Sequence, residues 1–395
     1  MNSSSSALAR SGSTTEFWQR LRQQMPVTRD WVYLDHAAVG PLTELAAQAI
    51  SDYVTNCSRS GDVHWPDWFA AVEQTRLSAA CLINAFPEEI ALVHSTTEGI
   101  TFVAEGIDWR SGDNVVIPAG EFPSNVYPWL NLQSRGVEVR QVEMPEAGFD
   151  YQRLEDACDL RTRVLSASWI GYANGYRTDP HILSQIAKRV GAYFVLDAIQ
   201  GLGVFPLDVK SVGVDFLSAD GHKWMLGPEG AGLAYIRREL LDELRPNIVG
   251  WNSVVGRYDF HNIDMQLIPA ASRYEAGSQN MVGQIGLGGS LKTLLDHGLS
   301  STSDLFAKRI VSQAIGLKQK LQELGAEVYS IPEEHQTGIL LFQLPGHDPM
   351  SVREKLLAGK VVSSCRGGRN RLAIHAYNDQ SDFDQVLGIL SELDL

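Results

Sequence analysis

Four short segments combine residue types that could act on a substrate together. Asp197 and Gln200 lie in Leu196-Asp197-Ala198-Ile199-Gln200, and Asp220 opens Asp220-Gly221-His222-Lys223-Trp224. Ser95-Thr96-Thr97-Glu98 follows an apolar run at Val93, and Glu121-Phe122-Pro123 follows another at Pro118. Each has an ordinary reading when taken alone. An Asp after a strand is most often a turn former, Ser-Thr-Thr-Glu is first of all a capping box, and a His-Lys pair among glycines is usually solvated surface. Together they supply a primary amine, an acid, a hydroxyl-rich helix start and an aromatic face. That set meets the needs of pyridoxal 5′-phosphate, an electron sink that asks few things of a protein. A lysine forms the Schiff base, a carboxylate keeps the pyridine nitrogen protonated, a helix N-terminus holds the phosphate and an apolar group covers the ring. Lys223, Asp197, the Thr96–Thr97 turn and Phe122 fill these places in order.

Such residues converge only if a fold delivers them to one edge. From about residue 65 to 275, short β-branched runs alternate with helical stretches, the pattern of βαβ units around a mainly parallel sheet. Candidate strands are Ile90–Val93, Val115–Pro118, Val137–Val142, Val164–Ser168, Tyr193–Leu196, Phe216–Ser218 and Gly232–Ile236. Ligands of open parallel sheets bind outside the carboxyl ends of the strands, and the four segments sit at such ends. Asp179–Val190 has apolar residues at helical spacing and stops at Gly191. After about residue 275 two long helices, two apolar runs and a last helix from about Ser381 read as a smaller α+β unit. The expected division is a disordered leader over residues 1–14, an N-terminal segment over 15–44 that packs on the small unit or a partner, a large domain over 45–275 and a small domain over 276–395.

Composition narrows the partners. In 395 residues, 33 Lys and Arg against 47 Asp and Glu give a net charge of −14, which repels phosphate backbones and anionic lipid surfaces. Neither nucleic acid nor membrane is an expected partner. The four cysteines, Cys57, Cys81, Cys158 and Cys365, have neither metal-site spacing nor the density of a disulfide scaffold, so no metal is expected. With no apolar run near the roughly 20 residues that span a bilayer and a polar, Ser-rich start, the expectation is a cytoplasmic protein.

Six motifs carry a resemblance to a known family: Tyr33-Leu34-Asp35-His36-Ala37-Ala38, the Ser-Thr-Thr-Glu turn, Leu196–Gln200, Gly221–Trp224, Tyr274-Glu275-Ala276-Gly277-Ser278 and Arg371-Leu372-Ala373-Ile374-His375-Ala376-Tyr377-Asn378. The chain resembles fold-type I pyridoxal-phosphate enzymes of the class V aminotransferase group over about residues 31 to 390. The resemblance implies a seven-stranded, mainly parallel α/β domain with a smaller α+β C-terminal domain. It makes Lys223 the Schiff-base lysine, Asp197 the pyridinium partner, Gln200 a ligand of the ring oxygen, and His222, Thr96 and Thr97 phosphate ligands. It gives Arg371 the substrate carboxylate, which implies an amino acid substrate, and it has Ser278 reach the phosphate of the other subunit, which implies a homodimer with a composite active site. Trp251 resembles a tryptophan brought near the cofactor by the partner, core packing being its other reading. His36 is open between a substrate-pocket residue and a satisfied loop histidine, and Tyr172 stands where relatives keep a substrate-side residue.

Three departures bear on the reaction. Where cysteine desulfurases have a histidine over the ring, this chain has Phe122, as in kynureninase-like and isopenicillin N epimerase-like variants. Cys365, six residues before Arg371, reads as a packed thiol rather than a sulfur carrier. Asp220 replaces a phosphate-binding serine. The expectation is an enzyme acting on a small α-amino acid through an external aldimine, by transamination or β-elimination of the C–S lyase type, with a standard cysteine desulfurase disfavoured. Epimerisation and kynureninase-like hydrolysis are the alternatives within the family, and a non-catalytic pyridoxal-phosphate-binding protein is the alternative outside it.

Overall fold

The structure is a computed structural model and describes residues 14–145 and 148–393. Of the leader expected over residues 1–14, only Thr14 lies among the described residues, and it begins α1 (Thr14–Gln23).

A short strand β1 (Val32–Tyr33) is followed by helices α2 (Glu44–Ser60) and α3 (Trp65–Ile83). Seven strands then form the large sheet: β2 (Ile90–Val93), β3 (Asn114–Pro118), β4 (Glu138–Val142), β5 (Thr162–Ser168), β6 (Tyr193–Asp197), β7 (Phe216–Asp220) and β8 (Gly232–Ile236). Their spatial order is β2-β8-β7-β6-β5-β3-β4. All pairings are parallel except those of β8, which runs antiparallel to both β2 and β7. Strands β2, β3, β7 and β8 are buried along their whole length. This explains why β2 and β8, and β3 after Asn114, read as unbroken apolar runs rather than as alternation. The edge strand β4 carries Glu138, Arg140 and Gln141, polar residues that discourage pairing with another chain.

Two connecting helices serve the site. Helix α4 (Thr96–Gly106) starts directly after β2, with Ser95 as N-cap accepting from the Glu98 N–H. Helix α5 (Pro180–Val190) starts at Asp179, whose carboxylate accepts from the His181 N–H, and ends at Gly191 with φ 73°. The expected strand ends are short by one residue at β6 and by two at β7. Asp220 remains in register because it pairs with Gly232 of β8, where a side chain would meet the Asp220 Cα at 2.6 Å. Asp197 and Asp220 are therefore the last residues of their strands rather than the first of their loops.

Beyond the large sheet, α6 (Met281–Asp296) packs on α2 and α3. Helix α7 (Leu305–Glu323) leads to β9 (Glu327–Val328) and β10 (Ile339–Gln343), then α8 (Pro349–Ala358), β11 (Val361–Val362), β12 (Ser364–Arg366), β13 (Arg369–Ala373) and α9 (Gln380–Ser391). Four of these strands form an antiparallel sheet in the order β12-β13-β10-β9. Its core contains Leu317 and Leu321 of α7, Phe342 of β10, and Phe383 and Val386 of α9. The N-terminal segment joins this side of the molecule. β1 pairs in parallel with β11, Val32 and Leu34 enter the same core, and Arg22 forms a two-pronged pair with Asp382 at 2.8 Å in each prong.

Candidate active site

A cavity of about 340 Å³ lies at the carboxyl ends of β6 and β7, walled on its other side by the small sheet. It brings together Thr96, Thr97, Phe122, Tyr172, Asp197, His222, Lys223 and Arg371. Among the described residues no His, Cys, Asp or Glu cluster could hold a metal ion.

Asp197 is fixed by backbone alone. It pairs with Ser168 of β5 and Ser218 of β7, and its carboxylate accepts from the Ile199 N–H at 3.1 Å. Burial raises its carboxyl to about 6, opposed by the Ile199 N–H and the charge of Lys223. Lys223 is 7% exposed. Burial lowers its amine to about 8, against the attraction of Asp197 and with the further push of Arg371. The lysine turn is held tightly from outside. Gly40 donates to the His222 carbonyl, and any side chain at position 40 would meet the Lys223 carbonyl oxygen at 2.1 Å. Leu226, closing the same turn, adopts φ 58°, a left-handed conformation that costs a non-glycine residue about 1 kcal/mol or more.

Phe122 faces the lysine, with Nζ 5.5 Å from its ring centroid, and Tyr172 meets it edge to face at 5.2 Å. At the other end lies the first turn of α4, whose leading N–H groups have no partner within the helix. The Thr96 hydroxyl accepts from the Asp220 N–H at 3.0 Å, the Ser218 hydroxyl donates to the Thr96 carbonyl at 2.9 Å, and Thr97 donates to Ser124 at 2.8 Å. This turn is thus bound to β7 through Ser218 and Asp220, and to the turn after β3 through Ser124.

Arg371, on β13, is 1% exposed. Its Nε donates to Ser364 Oγ at 3.1 Å, Nη1 to the Tyr172 carbonyl at 3.0 Å and Nη2 to Asp35 Oδ1 at 3.2 Å. A guanidinium has five N–H donors; these three bonds leave one on each terminal nitrogen. Two parallel donors are what a bidentate carboxylate takes.

Four expected residues lie outside the cavity. Gln200 donates one N–H to the Ala37 carbonyl at 3.0 Å and accepts from Trp224 Nε1 at 2.7 Å, which leaves its second amide N–H. His36 is fully buried. Its Nδ1 is 2.7 Å from the Ala373 carbonyl and its Nε2 2.7 Å from the Tyr377 hydroxyl. A carbonyl only accepts, so Nδ1 carries the proton and Nε2 accepts from Tyr377. This corrects the substrate-binding assignment, because both ring nitrogens are engaged away from the cavity. Ser278 lines a neighbouring cavity of about 490 Å³ that shares Ser95 and Thr97 with the first. Trp251 is 42% exposed, in a third hollow with Phe260 and Ile263. Cys365 turns its thiol to the Pro349 carbonyl at 3.3 Å, burial raises its pKa, and it is not part of the cavity wall.

Three contributors were not singled out from sequence. Glu121 accepts from the Ser168 N–H at 2.7 Å and from the Ser168 hydroxyl, and burial pushes its carboxyl up to about 7. The strand-end rule that found Phe122 could have found it. Arg366 lines the cavity from the β12–β13 hairpin, whose tip is Gly367 and Gly368, both at positive φ. Asp35 is visible only through its contact with Arg371.

An α/β fold that sets a buried lysine against a buried aspartate at adjacent strand ends defines the fold-type I pyridoxal-phosphate enzymes. Residues 32–384 match the aminotransferase class-V family, and the chain belongs to it. A protein of Methanothermobacter thermautotrophicus named a probable cysteine desulfurase is 34% identical across 93% of this chain and 96% of its own length. Another so named, from Pyrococcus abyssi, is 28% identical across 94% and 96%. The apo cysteine desulfurase of Thermococcus onnurineus superposes with a TM-score of 0.85 at 25% identity, covering 95% of this chain and 97% of that one.

These findings overturn the expectation that disfavoured a standard cysteine desulfurase. That expectation rested on Phe122 and Cys365, one ring-facing residue and one hairpin, whereas the similarity to proteins named cysteine desulfurases runs over nearly the whole chain. The family's cofactor is pyridoxal 5′-phosphate, and the residues present fit it. Lys223 and Asp197 stand where the amine and the pyridinium acid are needed, and the start of α4 faces the same cavity. His222, whose Nδ1 is 3.1 Å from Asp220 Oδ2, lines the cavity beside that helix start, where the leading N–H groups have no partner within the helix.

Proposed function

We propose that this chain cleaves the carbon–sulfur bond of a small sulfur-containing amino acid, with cysteine the first candidate, using pyridoxal 5′-phosphate carried by Lys223. The observation that carries this reading is the sharing of one cavity by Lys223, Asp197 and Arg371; the names of the relatives support the choice of a sulfur substrate. When bound, the cofactor supplies an electron sink for charge developing at the substrate Cα. Arg371 grips the α-carboxylate through its two free N–H groups. Lys223, with its amine held near 8, removes the α-proton at neutral pH far better than an ordinary lysine would. Asp197 keeps a proton on the pyridine nitrogen, and Phe122 covers the ring and excludes water from one face.

The reading includes a homodimer. Val249, Trp251, Phe260, Ile263 and Met265 are exposed and line one hollow, and clustered exposed apolar residues mark interaction surfaces; a second copy would cover them while bringing Trp251 and Ser278 toward a neighbouring site.

The test is to incubate the cofactor-loaded protein with cysteine and dithiothreitol, which reduces any sulfane sulfur to sulfide, and follow sulfide, alanine and pyruvate. Sulfide release, absent in Lys223→Ala, is the expected result. Amino transfer to a keto acid or racemised amino acid without any sulfide overturns it, and a spectrum unmoved by a panel of amino acids points to cofactor binding without catalysis.

A further inference from the structure

The wall that carries Arg371 carries a second guanidinium. Strand β12 pairs with β13 so that Ser364 stands opposite Arg371 and Arg366 opposite Arg369. Side chains alternate along a strand, so Ser364 and Arg366 share one face of β12 and Cys365 takes the other. The contacts agree: Ser364 Oγ accepts from Arg371 Nε, while the Cys365 thiol turns to the Pro349 carbonyl. Arg366 therefore rises on the cavity side, about 7 Å along the strand from Ser364, and lines the cavity together with Phe122, Tyr172, Lys223 and Arg371. Its root is rigid. Gly367 and Gly368, with φ 55° and 74°, close the hairpin in the two-residue turn that needs positive φ at both positions.

Arg371 is tied to Asp35, but Arg366 has no acid. Its Nη1 donates to the carbonyl of its own neighbour Cys365 at 2.9 Å, and among the described residues it forms no ion pair. Glu229, the other exposed charge in the lining, does not pair with it. Its charge acts instead on two cations. Burial lowers the pKa of Lys223 and of Arg371, Asp197 opposes this at the first and Asp35 at the second, and Arg366 adds to the lowering at both. An anion among these groups relieves the repulsion. The α-carboxylate of an amino acid is accounted for by Arg371, which leaves Arg366 for a second anion on the same molecule. Being exposed at the cavity mouth, it is open to such a contact.

We propose that Arg366 is a specificity residue that makes this cavity prefer sulfur amino acids bearing a second negative charge beyond the sulfur, with Arg371 on the α-carboxylate and Arg366 on the distal anion. The inference extends the proposed function from cysteine to acidic S-substituted cysteines. It rests on the reading of this cavity as an amino acid site built around pyridoxal phosphate.

The cofactor-loaded, full-length protein is titrated with cysteine, S-carboxymethylcysteine and S-carbamoylmethylcysteine, and binding is read from the shift of the cofactor's visible band. The last two compounds match in size and differ by one charge. Wild-type protein should bind the carboxymethyl compound about fivefold more tightly, the scale of one ion pair at a mouth that solvent reaches. Arg366→Gln should bring the two within about twofold by weakening the acid alone, and Arg366→Lys, which keeps the charge, should retain most of the preference. Equal affinities in the wild type overturn the proposal, and so does a preference that survives in Arg366→Gln. Equal weakening of both compounds in Arg366→Gln also overturns it, because Arg366 would then hold the α-carboxylate, and so does a band moved by cysteine but by neither derivative. A wild-type band that none of the three compounds moves would instead refute the amino acid site on which the proposal rests.

Discussion

The floor of the cavity and its rim are built in different ways. On the floor, Asp197 and Asp220 end neighbouring strands of the large sheet, and Lys223 follows three residues after β7. Backbone register alone puts them opposite one another, and the Asp197 carboxylate needs a single N–H contact to hold it. On the rim, Arg371 comes from the small sheet and depends on Ser364 of the paired strand and on the Tyr172 carbonyl and Asp35, two partners from distant stretches of chain. A floor set by strand pairing should tolerate the loss of neighbouring side chains. A rim set by side-chain cross-links should not.

The largest test of that contrast is Lys223→Ala. Loss of the general base should lower kcat by about 10³-fold, with the remaining floor intact by circular dichroism; a surviving rate within tenfold of wild type would remove Lys223 from the chemistry. Next is Arg371→Lys, which keeps the charge but loses the fork. Measured with cysteine, KM should rise by about 30-fold or more, since breaking a buried charged contact costs 2–5 kcal/mol, while kcat changes little. Asp35→Asn probes the rim at one remove. It touches neither cavity chemistry nor the floor, and a KM increase of about tenfold is expected from weakening one charge-assisted bond; an unchanged KM would show that Arg371 holds its place without cross-links.

The smallest effect concerns pH. Lys223 reacts as the free amine, so cofactor uptake by stripped protein should rise with pH through about 8 rather than near the 10.4 of an exposed lysine. The Asp197 carboxylate stabilises the ammonium form and so raises that midpoint against burial. Asp197→Asn removes the stabilisation, and the midpoint of uptake, followed by absorbance, should move to lower pH. A move upward would mean that the two groups do not face each other across the cavity.

The same contrast explains what could be read from sequence. The floor was legible because its chemistry is local: a strand, then its reactive residue, repeated along the large sheet. The two strand ends fell short in the reading because Asp stops an apolar run, whereas pairing of Asp220 with Gly232 continues the strand regardless. The rim was legible at Arg371 and Tyr172. Asp35 looks like any loop acid until its partner is known, 336 positions away. His36 was undecided for the same reason. It stands in a motif of the family, yet the Ala373 carbonyl and the Tyr377 hydroxyl occupy both its ring nitrogens. No spacing along the chain encodes those encounters. Asp220 is the reverse case: its position was legible as a departure, but its unpartnered oxygen appears only in three dimensions.

The tie between Asp35 and Arg371 also sets when this protein can begin to work. A chain emerging from the ribosome could complete its large sheet and hold an amine opposite an acid well before residue 371 has been made. It would lack the guanidinium altogether, while Asp35, made early, would wait for a partner 336 positions further on. Contacts that span so much chain close slowly, so the Asp35–Arg371 tie is expected among the later contacts to form, and a chain cut short of residue 371 would lack it.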